Sequence, residues 1–140
     1  MAKCTFFGHR DSPSSIRGVL SAEIERLINE KDVNTFYVGT QGNFDRMAYS
    51  VLAELRKRYQ HIIIYRVLAY MPKPDDDGTA DTIVPEGVEN AYLRYAIVRR
   101  NNWMIDHSDY VIAYVTHTFG GAYQAVERAK KKGKIIIQTR

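Results

Sequence analysis

The chain has 140 residues, 45% hydrophobic and 26% charged, a balance that fits one globular domain and excludes disordered or collagen-like chains. Its net charge of +4 is modest, and no apolar run reaches the roughly 18–20 residues of a membrane-spanning helix. The first residues hold no long apolar stretch, the single Cys4 has no disulfide partner, and the histidines lack metal-ligand spacing, so a cytoplasmic protein without metal, cofactor or membrane partner is expected.

Cys4-Thr5-Phe6-Phe7 is a short apolar run that stops at Gly8 and predicts a buried strand. Ser14 or Ser15 suits the cap of a helix whose apolar positions Ile16, Val19, Leu20, Ile24, Leu27 and Ile28 keep a helical period. Residues 35–38 predict a second strand ending in Gly39. Residues 43–59 predict a second helix with Asn43 as its cap and Met47, Ala48, Val51, Leu52 and Leu55 on one face. Residues 62–68, rich in β-branched side chains, predict a third strand.

From Met71 to about Glu86 a loop is expected, with Pro72, Pro74, Gly78 and the run Asp75-Asp76-Asp77. Three consecutive carboxylates do not converge on a metal unaided, so that run reads as solvated. Residues 88–107 predict a third helix with Leu93, Ala96, Ile97, Met104 and Ile105 inward, and residues 110–114 a fourth strand. Gly120-Gly121 opens a fourth helix that ends near Gly133, and residues 135–137 are the last strand. Alternating strands and helices predict an α/β domain spanning 1–140, mainly a parallel sheet of about five strands with helices on both faces.

In such a sheet, ligands bind beyond the carboxyl ends of the strands, where the strand order reverses. Three strand ends carry similar punctuation: Gly8-His9-Arg10, Gly39-Thr40-Gln41-Gly42-Asn43, and Thr116-His117-Thr118-Phe119-Gly120-Gly121. Glycine permits close backbone approach, and the helix N-terminus beyond it favours phosphate. These loops predict an anionic, phosphorylated ligand. Arg10 either grips it or pairs with Asp11, and His9 serves as a hydrogen-bonding residue rather than a general base. Asp45, in the first turn of the second helix, complements the helix dipole or binds ribose hydroxyls, and Tyr70, Tyr114 and Tyr123 lie where an aromatic ring stacks on a base. No loop matches G-x-G-x-x-G, G-x-x-x-x-G-K-[ST] or G-x-S-x-G. The basic runs Arg56-Lys57-Arg58 and Lys130-Lys131-Lys132, with Lys134, fall at helix ends, where they offset the dipole; nucleic-acid binding is not expected from them.

Taken in order, Phe7-Gly8-His9-Arg10, the 39–45 loop, Thr82 to Glu89, Arg99 to Asp109 and Gly120 to Glu127 resemble the SLOG superfamily. That group takes in the DprA/Smf proteins, the LOG lysine-decarboxylase-like phosphoribohydrolases and small YpsA-type proteins, and the likeness is nearest to the YpsA type. It covers nearly the whole chain and implies a Rossmann-like domain that binds a nucleotide or nucleotide-derived ligand, for sensing or sequestration. The LOG pattern places an Arg four positions before a Met, then G-G-x-G-T-x-x-E. Arg100, Met104, Gly120, Gly121 and Glu127 match it, while Tyr123 and Gln124 replace its inner Gly and Thr. The resemblance thus implies, as an alternative, cleavage of the N-glycosidic bond of nucleoside monophosphates, with Arg100 orienting the phosphate or ribose and Glu127 steering water. A third implication is DNA binding of the DprA kind. A homo-oligomer is also expected, through a surface formed by Trp103, Tyr92 and Tyr95.

Overall fold

In the computed structural model, which describes residues 2–70, 82–86 and 93–139, the strand runs of the sequence lie side by side in one parallel sheet. The elements are β1 (Ala2–Gly8), a 3-10 turn (Ser14–Ile16), α1 (Arg17–Glu30), β2 (Val33–Val38), α2 (Gly42–Arg56), β3 (Ile63–Val67), β4 (Thr82–Ile83), α3 (Leu93–Asp106), β5 (Tyr110–Tyr114), α4 (Gly121–Lys131) and β6 (Ile135–Gln138). Among the described residues the sheet has six strands, in the order β4-β3-β2-β1-β5-β6. The architecture is that of a single Rossmann-like α/β domain.

The chain steps from β1 outward to β4, then returns along α3 to set β5 on the free side of β1. Right-handed crossovers in opposite directions put α1 and α2 on one face and α3 and α4 on the other. Both faces of the central strands are therefore buried, and alternate residues serve two cores. Cys4, Phe6, Phe36, Val38 and Ile112 pack with Leu20, Ile24 and Leu27 of α1 and Phe44, Val51 and Leu52 of α2. Phe7, Tyr37, Val111 and Ala113 pack with Met104 and Ile105 of α3 and Ala125, Val126 and Ala129 of α4. The fully buried Phe44 alone contributes about 2–3 kcal/mol of apolar burial.

Several expectations need correction. The sheet gains the short edge strand β4 from the end of the expected loop, because Thr82 and Ile83 continue the ladder beside Arg66 and Val67. Neither Ser14 nor Ser15 caps α1, since the 3-10 turn leads straight into it without a side-chain cap. Asn43 does not cap α2: the helix starts at Gly42, the Asn43 side chain accepts from Arg46, and its backbone N–H donates to the Arg10 carbonyl at 2.8 Å. Val19 points outward, 48% exposed. Trp103 is half-buried, edge-on to Tyr37 at 5.1 Å and stacked on His107 at 4.0 Å. Tyr95 is exposed, whereas Tyr92 and the Asp75-Asp76-Asp77 run lie outside the described residues.

Candidate ligand site at the switch point

Strand order reverses between β1 and β5, and the loops that leave their carboxyl ends part to opposite faces. A cavity of about 500 Å³ opens there. Of the residues expected from the sequence, Gly8, His9, Arg10, Gln41, Asp45, Arg100, Gly120 and Gly121 line it. The three glycine loops do share one hollow.

Gly39, Thr40, Gly42 and Asn43 are not part of its wall; they shape the turn behind it. A Cβ on Gly39 would stand 2.8 Å from Asp45 Oδ2 and 2.9 Å from Arg100 Nη1, so the glycine is the floor beneath a carboxylate and a guanidinium. Gly42 has φ +86°, and a Cβ there would press on the Arg10 backbone at 2.7 Å. That close approach and the Asn43-to-Arg10 hydrogen bond join the loop after β1 to the start of α2. Thr40 Oγ1 is buried and has no hydrogen-bond partner among the described residues.

Arg100, which the resemblance implied would orient phosphate or ribose, is only 3% exposed. Two of its five N–H donors are taken up, Nε by Asn101 Oδ1 at 2.9 Å and Nη1 by the Val67 carbonyl at 3.4 Å. Burial lowers its affinity for the proton, and the neighbouring Asp45 opposes that. Asp45 Oδ2 accepts the Gln41 backbone N–H at 2.8 Å. Burial pushes the Asp45 carboxyl up to about 6, against the pull of Arg100 and of that N–H. A cation and an anion with little water around them therefore share the inner end of the cavity.

His9 does not stand ready as a base. Its Nε2 accepts the Thr116 N–H at 2.8 Å, tying the end of β1 to the loop after β5. Burial, helped by His117, holds its pKa below the ordinary histidine value. Arg10 is exposed at the mouth. Across from it α4 begins at Gly121, preceded by Gly120 with φ +93° and no capping side chain. A Cβ on either glycine would meet nothing within 4 Å, so the first-turn amides are approachable.

Glu127 lies elsewhere. It accepts from the Tyr123 hydroxyl at 3.0 Å, pairs with Lys130 at 3.4 Å, and lines a separate groove with Gln124, Arg128, Lys131 and Lys132. The Tyr123 hydroxyl and Lys130 hold its carboxyl below the usual range. Tyr123 turns with it into that groove, so it does not crowd the cavity. Tyr70 and Tyr114 are likewise absent from the cavity wall.

Sequence reasoning did not offer Asn101, His117 and Phe119 as ligand-binding residues, and it named Met104 only as an inward position and a pattern match; all four line the cavity. The stripe Ile97, Arg100, Met104 was a usable signal, because an arginine at a position whose helical neighbours are inward must itself be inward. His117 and Phe119 stood in the loop already marked by Gly120 and Gly121.

No protein-family model matches the chain, and comparison with curated proteins gives no match. Among solved structures it is similar to DNA processing protein A (DprA) from Streptococcus pneumoniae, with TM-score 0.72 and 16% identity over 99% of this chain. The chain spans 50% of the length of that protein. At this identity the likeness establishes the shared Rossmann-like fold. Among the described residues no helix is long and apolar enough to cross a membrane, and no cluster of three His, Cys, Asp or Glu side chains is placed to hold a metal.

Proposed function

We propose that the cavity binds a nucleotide or nucleotide-derived phosphate. The observation that carries this reading is the Arg100 guanidinium, almost completely withdrawn from water yet forming part of the cavity wall. Burying an arginine costs several kcal/mol unless it is well paired, and among the described residues its hydrogen bonds are to two neutral acceptors, Asn101 Oδ1 at 2.9 Å and the Val67 carbonyl at 3.4 Å. An anionic ligand supplies the missing compensation. Opposite, the uncapped amides of α4 and its positive dipole end suit a phosphate, and a cavity of about 500 Å³ has the size of a small-molecule site.

Calorimetric titration with AMP, ADP, ATP and ribose 5-phosphate tests the proposal. Binding is expected, with Arg100→Met weakening it at least about tenfold while the circular dichroism spectrum is kept. Glu127→Gln should leave it unchanged. Failure of every one of these phosphates to bind would sink the reading. Because Glu127 faces away from the cavity, the geometry favours binding over a hydrolysis that relies on this carboxylate.

A second reading is DNA binding. The solved neighbour is a DNA processing protein, and Arg128, Lys130, Lys131 and Lys132 form a basic ridge at the end of α4. Much of that charge is already met within the chain: Asp106 lies 3.7 Å from Arg128 and 3.0 Å from Lys132, and Glu127 pairs with Lys130. A steep loss of DNA affinity with added salt, abolished by replacing Lys130, Lys131 and Lys132 with Ala, would move this reading to first place.

A further inference from the structure

We infer that the rings of His9, His117 and Phe119 form the seat of a planar aromatic group, so that the cavity selects nucleotides over other sugar phosphates. This rests on the phosphate-binding reading of the same cavity and adds a discriminating subsite to it. All three rings line the cavity and form one continuous stack. His9 anchors it, fixed by its hydrogen bond to the Thr116 N–H and set edge-on to Tyr114. His117 lies on His9 with centroids 3.6 Å apart and planes 10° from parallel. Phe119 lies on His117 at 4.0 Å and 31°.

The stack ends in the open. Phe119 is 69% exposed, the highest figure among the large exposed hydrophobic side chains. An apolar ring held in that position loses hydrophobic stabilisation that a stacked ligand ring restores. Phe119 immediately precedes the Gly120-Gly121 amides, and two residues of chain span at most about 7 Å. A ring seated on the stack therefore keeps a phosphate attached through a ribose within reach of the start of α4. A carbon or sugar skeleton without an aromatic ring finds the same cation and amides but nothing to cover Phe119. Stacking tolerates any base, since each has a π-face, so the subsite separates aromatic from non-aromatic phosphates more sharply than one base from another.

The test is calorimetric titration of the full chain with AMP and with ribose 5-phosphate, on wild type, Phe119→Ala and Phe119→Trp. The exposed position of Phe119 makes both variants compatible with the fold. Wild type should prefer AMP by about tenfold or more, Phe119→Ala should bring the ratio of the two affinities close to one, and Phe119→Trp should keep it. Equal affinities in wild type, or an unchanged ratio in Phe119→Ala, would overturn the aromatic subsite and leave phosphate binding standing. No binding of either compound to wild type would overturn both.

Discussion

Acidification should stabilise the folded chain at Asp45. Burial lifts this carboxyl from 3.8 to about 6, even though Arg100 and the Gln41 N–H both favour its ionised form. With the folded value above the unfolded one, the native state takes up the proton first as pH falls. The contribution of this site to stability therefore rises as pH drops from about 6 towards 4, and above about 6 the ionised group carries its full cost. At about 1.4 kcal/mol per pH unit, the effect is about 3 kcal/mol. Asp45→Asn removes the titration while keeping the shape. Urea unfolding of both proteins across the range from about pH 7.5 to about pH 4 isolates it, because the other titrating groups, His9 included, cancel in the difference. That difference should move in favour of wild type by about 2.5 kcal/mol at about pH 4, the remainder of the effect appearing below the unfolded value. A difference that stays flat would show that Asp45 titrates as it does in the unfolded chain, and the account of a water-depleted carboxylate beside Arg100 would fail.

The glycines of the rim should respond in opposite ways. Gly8→Ala drives a methyl to 2.2 Å from the Phe44 ring and should cost about 1–3 kcal/mol in chemical denaturation, whereas Gly121→Ala meets nothing and should leave stability equal or slightly higher. Gly121→Val, also free of clashes at Cβ, should still fold but lose affinity for phosphate ligands in the calorimetric assay. Protonating His9 removes the acceptor for the Thr116 N–H, so the protection factor of the Thr116 amide, its exchange rate relative to an unstructured amide at the same pH, should drop as pH falls below the usual histidine range; protection that persists would contradict the bond. Cys4 is fully buried and its thiol is pushed far above the ordinary range, so it should stay unreactive to a thiol reagent until denaturant is added, and rapid labelling of the native chain would refute its placement.

The fold was legible because its signals are local. Runs such as Phe6-Phe7, residues 35–38 and residues 110–114 are too short and too apolar for anything but buried strands, and the intervening segments keep a helical period. β4 was missed because two residues carry no period, and a two-residue strand forms only where the edge of β3 offers it a ladder. The cap at Asn43 was misjudged for a related reason: the Arg10 carbonyl, distant in sequence, had already engaged that backbone N–H. Gly8 and Gly39 were marked as turns, yet what demands glycine is the Phe44 ring against one, and the Asp45 and Arg100 side chains over the other.

Composition, period and glycine punctuation were enough to determine a parallel α/β sheet and to mark the rim at which the cavity opens, because each depends on near neighbours along the chain. Which charged groups meet at that rim was a matter of three-dimensional folding alone. Arg100 and Asp45 come from helices on opposite faces of the sheet, and only the return of α3 across it brings them together over Gly39. Glu127, which fits the sequence pattern better than Asp45 does, is turned away by the rotation of α4. Electrostatics and dehydration act through space, so the partners of a charge emerge only when the chain has closed.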